Sequence, residues 1–88
     1  MFNSHSIESF KSSLDAHYEW PARFPFKFIV PVEQSNQVIE LLNEDHLESR
    51  PSSKGRYVAF TLEKEVQSSD EVIALYETMS RIPGIITL

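Results

Sequence analysis

The sequence predicts an α+β domain of the ferredoxin-like class. The expected order is strand, helix, strand, strand, helix, strand, folded as a four-stranded antiparallel sheet with both helices on one face. Three observations predict it. Phe24, Phe26, Phe28 and Val30 alternate with Pro25, Lys27 and Ile29 at the two-residue period of a strand. Pro51-Ser52-Ser53-Lys54-Gly55-Arg56-Tyr57 reads as the tip of a β-hairpin, in which Gly55 supplies a positive φ. This hairpin lies between two helical stripes, and right-handed crossovers applied to that order give the plait, with first and third strands central.

Each element has its own reason. Residues 1–19 are polar and serine-rich, yet Ile7, Phe10 and Leu14 recur at helical spacing, with Ser4 or Ser6 available as a cap. Trp20-Pro21 ends this segment. It is either a helix docked on the domain or a partly disordered arm, and the domain proper spans residues 20–88. The first strand opens at Phe24, and Pro31 is expected to stop it. Ser35 to Asn43 carries Val38, Leu41 and Leu42 on one helical face.

His46 to Arg50 reads as a polar edge strand, after which Pro51 is expected to end pairing. Tyr57 to Lys64 is the third strand, with Val58, Phe60 and Leu62 in one phase. Ser68 and Glu71 have capping-box spacing, and Val72, Leu75, Tyr76 and Met79 form the stripe that follows. Arg81 suits the negative end of that helix, and Pro83-Gly84 punctuates it. Ile85 to Leu88 is expected to close the sheet.

Bulk properties narrow the function. At 88 residues the chain is one domain, too small for a cleft between domains. A net charge of −5 disfavours nonspecific attraction to nucleic acid or anionic lipid, so neither is an expected partner. Zero cysteines exclude disulfides and thiolate metal sites. No apolar run approaches the ~20 residues of a membrane span, and residues 1–10 lack signal-peptide character. A cytoplasmic protein is expected.

The candidate chemistry is sparse. Arg50, Lys54 and Arg56 lie within seven positions and, with Ser52 and Ser53, form a candidate anion or partner contact. The competing reading is a solvated turn that uses these residue types for its own geometry. A Ser52–Lys54 nucleophilic pair is set aside, because a wet hairpin tip neither lowers a lysine pKa nor builds an oxyanion hole. His5, His17 and His46 are too dispersed for a metal site, and no cofactor is expected. The phenylalanines share the core phase, unlike the exposed rings of RNA-binding plaits. Glu40, Glu44, Asp45 and Glu48 read as a solvated acidic face.

The plait leaves one sheet face without helices. That face is expected to show Lys27, Ile29, Tyr57, Ala59 and Thr61, a partly apolar surface that normally packs against something. The candidates are the chain's own N-terminal helix, a second copy in a homodimer, or a protein partner.

Several segments also resemble a family. Trp20-Pro21, Phe24 and Phe26-Lys27-Phe28 are similar to the aromatic-Pro and aromatic-Lys opening of the YbeD-like small bacterial proteins. Residues 51–57 look like their hairpin motif, and Leu75-Tyr76-Glu77 looks like the middle of their second helix. The resemblance spans Trp20 to Leu88 and implies a fold similar to the ACT regulatory domains, which bind amino acids. It carries no catalytic residues and no cofactor. Pro31 to Asn36 contains no glycine, whereas ACT domains use a glycine-bearing turn there. The expected function is therefore a non-enzymatic regulatory or adaptor domain acting through self-association or a protein partner. A sensor of a small carboxylate or phosphate is the alternative.

Overall fold

The computed structural model describes residues 4–87, with side chains from residue 7 onward. Its elements are α1 (Ser4–His17), β1 (Ala22–Pro31), a short 3-10 turn (Val32–Gln34), α2 (Ser35–Leu42), β2 (Glu48–Pro51), β3 (Tyr57–Val66), α3 (Ser69–Met79) and β4 (Ile86–Thr87). The sheet order is β2-β3-β1-β4, with every neighbouring pair antiparallel. This is the expected ferredoxin-like plait with an extra N-terminal helix. The side chains of Ser4, His5 and Ser6, and with them the proposed cap, lie outside what is described, as does Leu88.

The core follows from strand phase. Phe26, Phe28 and Val30 of β1 and Phe60, Leu62 and Val66 of β3 are buried on one sheet face. Val38 and Leu42 from α2 and Val72, Ile73, Tyr76 and Met79 from α3 pack in the same cluster, together with Ile82 beyond the helix. Tyr76 is the aromatic hub, its ring centroid 5.5 Å from those of both Phe26 and Phe28. Burial, with Tyr18 adding to it, pushes the Tyr76 hydroxyl up to about 12.

Both prolines stand as the last residues of their strands, as expected: Pro31 ends β1 while still pairing with Tyr57, and Pro51 ends β2 opposite Val58. Hydrogen-bond parity explains both. The Val32 N–H donates to the Arg56 carbonyl at 2.9 Å in the β1–β3 register, so even-numbered residues of β1 point their polar groups at β3. Pro25 and Pro31 then face the β4 side, and their missing N–H groups cost no β1–β3 bond. Likewise the Ser52 N–H donates to the Tyr57 carbonyl at 2.8 Å, which turns Pro51 toward the outer edge. Pro25 also lies in the part of β1 that no described residue of β4 pairs with, where a missing N–H blunts an edge. The strand ends shift accordingly: β2 begins at Glu48 rather than His46, and β3 runs past Lys64 to Val66.

The N-terminal segment is a helix, and its place decides what remains bare. Leu14 is buried, and the Phe10 ring lies 5.9 Å from that of Tyr76. Lys11 Nζ donates to Ser69 Oγ at 2.9 Å and to Asp70 Oδ1 at 3.1 Å. Trp20 Nε1 donates to Asp15 Oδ1 at 2.9 Å, closing the chain after the helix. The Ser69 hydroxyl, then the Trp20 indole and Lys11, hold the Asp15 carboxyl below the usual carboxylate range. The Trp20–Pro21 peptide bond is cis. So α1 packs on α3, on the helical side, and does not cover the open sheet face.

The caps of the two core helices differ. Asn43 ends α2 in the left-handed region, at φ 47°. At the start of α3 the Glu71 N–H donates to Ser68 Oγ at 3.4 Å, as a capping box requires. The Glu71 carboxylate reaches one residue further back than expected, accepting the Gln67 N–H at 3.3 Å.

Candidate functional site

Register converts the open face into rows that cross the sheet. Arg50, Ala59, Ile29 and Ile86 form one row, from β2 through β3 and β1 to β4. Glu48, Thr61 and Lys27 form the next. Tyr57 and Pro31 lie on one side of these rows, Glu63 with Pro25 and Glu65 with Arg23 on the other. Arg23 closes on Glu63 at 3.5 Å. All five sheet-face residues expected from the sequence, Lys27, Ile29, Tyr57, Ala59 and Thr61, stand on this face. Tyr57 and Ile86 are 44% and 49% exposed, large values for apolar side chains.

The face is hollowed. A depression of about 550 Å³ is lined by Lys27, Glu48, Ser49, Arg50, Ala59 and Thr61. A neighbouring one of about 470 Å³ shares Glu48 and Thr61 and adds Arg23, His46 and Glu63. Lys27 and Arg50 meet in the first without an ion-pair partner among the described residues. This divides the basic cluster read from the sequence. Arg50 belongs to the sheet hollow, whereas Ser52, Ser53, Lys54 and Arg56 form the hairpin loop.

The loop is occupied with its own geometry. The Gly55 N–H donates to the Ser52 carbonyl at 3.0 Å, and the Tyr57 N–H donates to Ser52 Oγ at 3.2 Å. Gly55 takes φ 73°, as the turn requires. Residues 51–57 are all exposed.

Sequence reasoning missed Ile86, Glu48, Arg23 and Glu63 as members of the face. A two-residue strand is too short for its period to show, so Ile86 becomes visible only through its pairing with Ile29. The sequence makes Glu48 part of a solvated acidic face on the edge strand, and the register is what places it in the row of Lys27. The remaining polar residues offer little chemistry. His17 Nδ1 lies 2.8 Å from the Ser13 carbonyl. Among the described residues no three His, Asp or Glu side chains gather as metal ligands, and no helix is long and apolar enough to cross a membrane.

Comparison with known proteins points to one family. The model of the family described as protein of unknown function DUF493 matches residues 15–88, beginning inside α1. A UPF0250 protein of Idiomarina loihiensis is 32% identical over 82 residues, covering 85% of this chain and 93% of its own length. UPF0250 proteins of Shewanella sediminis and Shewanella amazonensis are 30% and 28% identical over 81 residues, each covering 84% of this chain and 92% of their own. No solved structure gives a significant match. These bacterial relatives agree with the YbeD-like resemblance.

Proposed function

We propose that this chain, which belongs to the DUF493 family of proteins of unknown function, is a non-enzymatic regulatory or adaptor domain whose working surface is the bare face of its sheet. One observation carries the reading: α1 packs on α3 and leaves Ile29, Ala59, Tyr57 and Ile86 uncovered at the centre and rim of that face. Burying apolar surface there gains about 25 cal/mol per Å², before the ordering costs of association. Lys27 and Arg50, without an ion-pair partner among the described residues, stand beside the apolar groups and add orientation to that gain.

The test is affinity capture with three forms of the tagged protein: unaltered, Ile86→Asp, and Lys54→Ala/Arg56→Ala. A stoichiometric protein, whether this chain or another, should be retained by the unaltered form and the hairpin variant. It should be lost with Ile86→Asp, whose side chain is exposed and whose change spares the core. Equal retention by all three forms would remove the sheet face as the working surface.

A second reading has an observation of its own, the hollow in which Lys27 and Arg50 converge with Ser49 and Thr61. Those groups suit a small phosphate or carboxylate, though Glu48 on the same wall opposes an anion. Inorganic phosphate should then raise the melting temperature of the unaltered protein and leave Lys27→Ala/Arg50→Ala unmoved. Equal shifts in both would discard the anion site.

A further inference from the structure

We infer that the occupant of the open face is a second copy of this chain, packed sheet to sheet about a two-fold axis. The inference rests on the open face being the working surface, and it names the partner. The first argument is charge. The face carries Arg23, Lys27 and Arg50 against Glu48, Glu63 and Glu65, equal numbers of each sign. The whole chain has a net charge of −5, so its excess acid lies on other surfaces. Two copies can therefore approach through this face without the repulsion that their other surfaces impose.

The second argument is register. Glu48 and Lys27 share a row with Thr61 between them. At a strand spacing of ~4.8 Å they stand about 10 Å apart along the row. Neither has an ion-pair partner among the described residues. A two-fold axis along the strands, passing between β3 and β1, reverses each row onto itself. It sets Ile29 of one copy on Ala59 of the other, and Ile86 on the aliphatic stem of Arg50. It also sets the other copy's Glu48 only one strand position aside from Lys27, so that the two side chains extend toward each other across the ~10 Å between the sheets, and symmetry makes that pair twice. Small residues at the centre, Ala59 and Thr61, allow the sheets to close to the usual ~10 Å.

Area sets the strength. Strands of ten, ten, four and two residues give a face of ~400 Å² per copy at ~3.3 Å rise and ~4.8 Å spacing. The total of ~800 Å² lies below the ~1,200 Å² at which stable specific interfaces begin and in the range of weak, transient ones, which means a reversible, concentration-dependent dimer.

The test is sedimentation equilibrium across micromolar to millimolar protein, with circular dichroism to verify folding. The unaltered chain should move from 10.2 kDa toward twice that mass as concentration rises. K27E and E48K, both at exposed positions, should each weaken the dimer at least ~10-fold, because each sets like charges together twice. An equimolar mixture of the two variants should recover it, since both cross-pairs are then opposite in sign. A chain that stays monomeric to millimolar concentration overturns the inference. A dimer indifferent to K27E and E48K, or a mixture without recovery, overturns it as well. If the monomer still captures another protein that Ile86→Asp loses, the second copy falls while the proposed working surface stands. If capture and self-association both ignore Ile86→Asp, the surface itself falls.

Discussion

Phe26→Ala is expected to cost about 3–5 kcal/mol of folding stability, read as a lowered denaturant midpoint with unchanged slope. Phe26 is fully buried, and its ring touches three others. Centroids lie 4.9 Å from Phe24, 6.4 Å from Phe28 and 5.5 Å from Tyr76. Truncation removes the transfer energy of the ring and leaves a cavity that neighbouring aromatics, held by β1 and α3, fill poorly. A domain of this length has roughly 4–13 kcal/mol in total, so the loss takes a large share of it. Phe26→Leu keeps most of the volume and should cost less than half as much. A loss below about 1 kcal/mol for Phe26→Ala would mean that the aromatic cluster is not the centre of the core.

That centre was legible because a strand has period two. The alternation of Phe24, Phe26, Phe28 and Val30 assigns these residues to one face without any knowledge of the fold, and all four are buried. The composition of the open face was legible for the same reason. What a period cannot supply is the neighbour across the strand. Arg50 was grouped with Lys54 and Arg56 by proximity along the chain. Pairing instead sets it beside Ala59 and in a hollow with Lys27. Glu48 joined Lys27 through a third strand between them, a relation that depends on two registers at once.

The prolines show a second limit. Pro31 and Pro51 mark the ends of β1 and β2 as expected, but whether each also stays paired depends on odd or even position in a register the sequence leaves open. Both fall on the tolerated parity. The N-terminal helix shows a third limit. Its stripe of Ile7, Phe10 and Leu14 announced an apolar face and left the surface it meets undetermined. Lys11 donating to Ser69 and Asp70 fixes that surface as α3.

Gly84→Ala should lower stability by about 2–5 kcal/mol, well beyond the effect of Gly55→Ala. The two glycines have nearly the same backbone, φ 74° and 73°. Either alanine would pay about 1–2 kcal/mol for a left-handed conformation. They differ in what surrounds the added methyl group. At Gly55 nothing lies within 4 Å, so conformational strain is the whole cost. At Gly84 the new Cβ would stand 2.8 Å from Pro31 Cγ and 3.2 Å from Pro31 Cδ. A proline ring at the end of a central strand cannot swing aside as a flexible side chain does, so overpacking adds about 1–3 kcal/mol. Paired thermal or denaturant melts measure the difference directly. If the two variants melt alike, the chain leading to β4 is not held against Pro31. The contact also bears on the open face, because Gly84 lies two residues before Ile86 and, among the described residues, β4 pairs only opposite Phe28 and Ile29. Displacing the glycine shifts Ile86 off the row of Ile29, Ala59 and Arg50. Gly84→Ala should therefore weaken self-association in the fraction that remains folded, whereas Gly55→Ala, at the tip of the hairpin, should leave it intact.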